Sequence, residues 1–107
     1  MTNYLIQGAY SPTATSSMIK NPQDRATAVR GMIEKSGGKL HGFWLALGEY
    51  DFVAIAEMPD NVGAAAFSMA VGSSGAMSSY RTTPLLSSEE SVRAMKQAAE
   101  IGYQPPK

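Results

Sequence analysis

The chain has 107 residues, with nine Lys and Arg balanced by nine Asp and Glu for a formal net charge of +0. That balance leaves no electrostatic footprint for nucleic acid or an anionic membrane. The absence of cysteine excludes disulfides, thiolate nucleophiles, iron–sulfur clusters and cysteine-held zinc.

Residues 3–10 read as a first strand, with Tyr4, Ile6 and Tyr10 at period two around Gly8. Nothing before them resembles a secretory signal or a membrane span, so the expected location is the cytoplasm. Residues 11–20 read as a Pro/Ser/Thr-rich connector. Asn21 then serves as an expected N-cap, Pro22 sits at a position that needs no donor, and Asp24 complements the helix dipole. Ala26, Val29 and Ile33 mark one face of that helix, and Gly37-Gly38 stops it.

Residues 40–59, LHGFWLALGEYDFVAIAEMP, read as a β-hairpin around a tight Gly48-Glu49-Tyr50-Asp51 turn. A hairpin with one wet face alternates apolar and polar residues, and this one does not. Helices can cover one face of a sheet in so small a domain, so the second face calls for another subunit. Pro59-Asp60 ends the hairpin and opens an alanine-rich helix (Ala64, Ala65, Ala66, Phe67, Met69, Ala70), whose small side chains predict close packing on the sheet. A polar fourth strand is expected over 76–86, with Tyr80, Arg81, Thr82 and Thr83. Ser87 and Glu90 have capping-box spacing and open a last helix with Val92, Met95 and Ala99 on one face. Residues 102–107 form a tail.

The order β-α-β-β-α-β-α is α+β: a ferredoxin-like split βαβ with an antiparallel four-stranded sheet and an extra C-terminal helix. The expectation is a single domain over 1–107.

The chain resembles the GYD family of small bacterial proteins, named for a Gly-x-Tyr-Asp signature that is Gly48-Glu49-Tyr50-Asp51 here. The resemblance runs over roughly residues 3–90. It includes Tyr4 in the first strand, Arg25 early in the first helix, the Gly37-Gly38 stop and Glu57-x-Pro59-Asp60. One departure is that Gly75-Ala76-Met77-Ser78-Ser79 lacks the Asn and Arg of the family's usual Gly-Asn-Val-Arg-Thr-like strand. The family resembles dimeric α+β barrels, in which two ferredoxin-like sheets pack face to face. That implies a homo-oligomer, a dimer or higher, and leaves the biochemical role undefined.

If Gly48 faces Asp51, then Gly42 faces Glu57 and His41 faces Met58. His41, Phe43 and Leu45 then share one sheet face, and Trp44 and Glu57 share the other, which excludes a His41–Glu57 acid–base pair. A bulge near Gly42 would overturn that register. Glu57 reads either as a desolvated general base beside Trp44 or as a strand-end ion pair. His41, the one histidine, reads as structural in preference to a metal ligand, because no carboxylate spacing supports a metal. Tyr50 and Asp51 read first as turn residues, and residues 72–75 lack the Lys-Ser/Thr of a phosphate loop.

A small-molecule site is expected where Trp44, Glu57, Tyr80 and Arg81 converge, with His41 a further candidate. Because the fourth strand borders the first in split βαβ order, Arg81 is expected to reach Glu57 only from a partner subunit. Two functions follow. One is an oligomeric binding or structural module for a small apolar or aromatic ligand, with no cofactor, nucleic acid or membrane. The other, implied by the barrel resemblance, is a cofactor-free enzyme of monooxygenase, isomerase or cyclase type acting on an aromatic or polyketide-like substrate.

Overall fold

The computed structural model describes residues 1–107. Four strands, β1 (Thr2–Tyr10), β2 (Lys39–Leu45), β3 (Phe52–Met58) and β4 (Met77–Leu85), form one antiparallel sheet in the order β2-β3-β1-β4. Four helices accompany them: α1 (Pro12–Lys20), α2 (Arg25–Lys35), α3 (Asn61–Ser73) and α4 (Ser88–Ile101). The class is α+β, as expected, with one helix more than the sequence reading allowed.

That helix is α1, which replaces the expected connector. Ser11 caps it by accepting from the Ala14 N–H, and Pro12 occupies the first turn, where its missing donor is harmless. Asn21 is consequently the C-cap of α1, not the N-cap of the next helix. Asp24 takes that role, its carboxylate accepting from the Ala26 N–H at 2.9 Å. The Gly37 stop is real: Gly37 lies at φ +85°, a conformation other residues avoid, and its N–H closes on Glu34.

One sheet face is packed. Tyr4, Ile6, Phe52, Ala54, Ala56 and Met58 alternate inward along β1 and β3 and meet Ile33 of α2, Leu40 of β2 and Ala64 of α3. The other face carries Leu5, Val53, Ile55 and Trp44 and has no layer over it; Trp44 is 55 % exposed.

The hairpin register differs from the expected one. Phe43 pairs with Ala54, and Gly42 with Ile55, a displacement of two residues. The tight turn is a longer loop over 46–51, closed by the Ala46 N–H donating to the Asp51 carbonyl at 2.8 Å. Because the side-chain period is two, this slip leaves Gly42 to Leu45 on their expected faces. His41 is the exception. A bulge between Leu40 and Gly42 leaves it unpaired in the ladder and releases it from the strict alternation.

α4 makes no substantial contact with the other elements and buries none of its residues. Its own start is well made: the Ser87 hydroxyl accepts from the Glu90 N–H at 3.1 Å, and the Glu90 carboxylate accepts from the Ser87 N–H at 2.9 Å. Ser87→Ala is expected to cost the helix about 0.5–2 kcal/mol, seen as lost α-helical ellipticity on warming.

The Ser87 bonds hold the Glu90 carboxyl below its ordinary range, with Arg93 adding a smaller pull. A carboxyl depressed in the folded state stabilises the helix above its unfolded pKa of about 4.3 and loses that contribution as the pH falls through the folded value. Helicity is therefore expected to decline on acidification below about pH 4, and to do so less in Glu90→Gln.

Candidate functional site

The five residues expected to converge are divided between two faces. Trp44, Glu57 and Arg81 lie on the open face. Arg81 pairs with Gln7, which pairs with Val53, which pairs with Trp44. Trp44 and Arg81 thus occupy the two edges of the sheet, about 14 Å apart at three strand spacings. Tyr80, adjacent to Arg81 in a strand, points to the packed face and joins the residues around the core. Gly42 does not leave free space either: a Cβ there would lie 2.7–2.9 Å from atoms of the Trp44 indole, which fills the position.

His41 and Glu57, expected on opposite faces, form a pair with Nε2 3.0 Å from Oε1. The bulge is the cause, since it swings His41 toward the side of the strand that carries Glu57. Both side chains remain about one-third exposed, at 37 % and 30 %. The pair is a hydrogen-bonded acid–base couple in contact with solvent.

A larger feature lies on the packed face. α2 packs on β2, and α3 packs on β3 and β4, with little contact between the helices. The gap between them is a groove of about 520 Å³ with mainly hydrophobic walls, within the 300–1,000 Å³ range usual for small-molecule sites. Ile6, Phe52 and Ala54 form its floor.

The alanines of α3 help to make the groove. Ala64 is buried near the start of α3, where the helix meets the sheet, but Ala66 and Ala70 are exposed and line the opening. The expected close packing therefore holds only at the start of the helix. Beyond it, small side chains leave room that larger ones would fill. Phe43, Phe52 and Tyr10 run along the sheet side, with Phe43 and Phe52 stacked at 5.1 Å between ring centroids and Tyr10 tilted onto Phe52 at 5.3 Å.

Few polar groups reach this space. Arg25 enters from the start of α2 and stands beside the Tyr10 hydroxyl. Burial pushes the Tyr10 phenol up, with Arg25 opposing in part and Asp51 adding to the rise. Tyr80 also lines the groove, and burial pushes its phenol up. The neighbouring Ser68 and Thr82 hydroxyls are bonded to each other at 2.8 Å, and the buried Tyr80 Oη has no hydrogen-bond partner.

Signature residue Asp51 reaches this site indirectly. Its Oδ2 accepts from the Tyr10 N–H at 2.8 Å, and its own N–H donates to the Gly8 carbonyl at 2.8 Å. Asp51 is therefore more than a turn residue bonding its local backbone; it ties the loop to the end of β1 and fixes Tyr10. Gly48 is exposed at the loop surface and Tyr50 is half-buried. Sequence reading missed Arg25 as a site residue. Its i+4 position is Val29, so no helical carboxylate partner accounts for its charge, and that was the available signal.

An antiparallel α+β sheet with an open apolar groove under two splayed helices defines the class of protein. The GYD domain model matches residues 4–95, and the chain belongs to that family. No curated protein and no solved structure matches the chain.

Proposed function

We propose that this chain is an oligomeric small-molecule-binding module of the cytoplasm, formed as one domain, whose ligand lies in the groove between α2 and α3. The groove carries the proposal: it combines an apolar body with few polar groups, as small-molecule sites do. Assembly is supported by surface. The chain exposes 7529 Å², whereas a compact monomer of 11.4 kDa exposes about 5,800 Å². The excess of roughly 1,700 Å² matches what one subunit of an obligate dimer buries. The radius of gyration, 17.1 Å, likewise exceeds the ~13 Å of a compact domain this long. The uncovered sheet face and the detached apolar stripe of α4, with Val92 and Met95 47 % and 67 % exposed, supply that surface. A dimer through the open face would place Trp44, Arg81, His41 and Glu57 at the interface instead of in the ligand site.

Nile red, a neutral apolar dye, is expected to brighten on binding the protein, and Ala70→Phe, which fills the groove from an exposed helix position, is expected to reduce that binding at least tenfold. Trp44→Ala is expected to leave it unchanged. Dye binding indifferent to Ala70→Phe would defeat the reading.

The His41–Glu57 pair favours a second reading, a cofactor-free proton transfer on an aromatic or polyketide-like substrate. Glu57 would orient His41 as the base, in space enclosed only by a partner's sheet. The pair stands on the opposite face from the groove, which gives the binding reading precedence.

A further inference from the structure

The charges in the groove wall are of one sign, while the Asp51 carboxylate stands behind Tyr10 and outside the lining. Arg25 and Lys35 are the charged groups in its wall, and no carboxylate lines it. Neither cation forms an ion pair; the pairs in the molecule are His41–Glu57 and Arg93–Glu90. The two cations are not equivalent. Lys35, at the far end of α2 about 15 Å from Arg25 along the helix, is exposed, and water satisfies it. Arg25 is half-buried; its guanidinium donates to the neutral Gln23 amide oxygen at 2.9 Å and otherwise faces the neutral Tyr10 hydroxyl. An arginine held partly out of water without a counter-charge retains donors for an anion.

Resting on the groove as the binding site, we infer that its ligand is an amphipathic monoacid, with an aromatic or alkyl body on the Phe52–Ala54 floor and a carboxylate at Arg25 and the Tyr10 hydroxyl. A guanidinium fork can engage two oxygens of either a carboxylate or a phosphate, but one fork and one phenol match the two oxygens and single charge of a carboxylate. A phosphate would call for further donors, such as a helix start or several backbone N–H groups. The Tyr10 phenol keeps its proton at neutral pH, since burial raises it, and so can donate to the same anion. The floor is hydrophobic and partly aromatic, which selects an acid with a substantial apolar body over a small hydrophilic one.

The test uses 2-naphthoic acid, ionised at neutral pH, and its neutral analogue 2-naphthamide, titrated calorimetrically into the full chain and into Arg25→Gln. The acid is expected to bind the native protein at least tenfold more tightly than the amide. Arg25→Gln is expected to abolish that preference, bringing acid and amide to similar affinities in the variant, and added salt is expected to weaken only the acid. Acid and amide binding alike, or a preference that survives Arg25→Gln, would overturn the monoacid inference and leave the groove standing as an apolar site. If neither probe bound at concentrations to about 1 mM, the groove reading itself would fall, and this inference with it.

Discussion

Ile55→Lys is expected to convert the proposed sheet-face dimer into monomers. Ile55 lies in the middle of the uncovered sheet face, between Gly42 of β2 and Leu5 of β1 in the ladder. Ile55 is already more than half-buried within its own subunit, so covering the remainder with a second sheet stabilises the assembly by at most about 1 kcal/mol per subunit. A two-fold dimer uses the same patch twice, and the larger penalty comes from burying two unpaired ammonium groups, which costs several kcal/mol. Every ~1.4 kcal/mol is tenfold, so the dissociation constant should rise by about a hundredfold or more. The inward face of β3 is carried by Phe52, Ala54 and Ala56, so the fold of each subunit should survive. Light scattering at micromolar concentration should give the dimer mass for the native chain and the monomer mass for the variant. A native chain already monomeric there, or a variant that stays dimeric, would remove the assembly from the account. Met95→Glu in α4 separates the two contributing surfaces: it weakens association only if the helix also docks on the partner.

What could be read from sequence divides along physical lines. Local chemistry was legible: the Ser87–Glu90 box, the Asp60 cap and the Gly37 stop all depend on residues within a turn of one another. Which hairpin residues share a face was also legible, because a period-two pattern survives a two-residue slip. The register was not: Gly42 marks where a bulge could sit, but Leu40-His41-Gly42 does not decide whether one forms, and the bulge alone brings His41 to Glu57. α1 was hidden differently. Ser11-Pro12 is a sound helix start, but the following Thr and Ser residues provide no apolar stripe to extend it. The groove was the least legible feature. It is made by what α3 lacks, and alanine reads equally well as close packing or as room.

Asp51→Ala is expected to destabilise the fold by about 1–3 kcal/mol, the range for leaving a poorly solvated donor unsatisfied. β3 ends opposite Gly8, at Phe52, so β1 runs past its partner by the time it reaches Tyr10. The Tyr10 N–H consequently has no strand carbonyl to meet on that side, and the Asp51 carboxylate supplies the acceptor from the loop. Removing it unties β1 from the loop and frees the Tyr10 ring from its position on Phe52, at the Arg25 side of the groove. Asp51→Asn keeps an oxygen in place and loses only the charge assistance, so a smaller loss is expected. Gly48, in the same signature, has an ordinary negative φ, and nothing stands within 4 Å of an added Cβ. Gly48→Ala is accordingly expected to be neutral or slightly stabilising. Urea unfolding at one fixed chain concentration, which keeps the assembly term constant, should rank native and Gly48→Ala together, Asp51→Asn below them and Asp51→Ala lowest. Nile red binding should fall with Asp51→Ala and hold with Gly48→Ala. If Asp51→Ala were as stable as the native chain, the signature aspartate would have no part in fixing Tyr10. Reduced stability with unaltered dye binding would instead show that the tie holds the loop and leaves the groove to its helices.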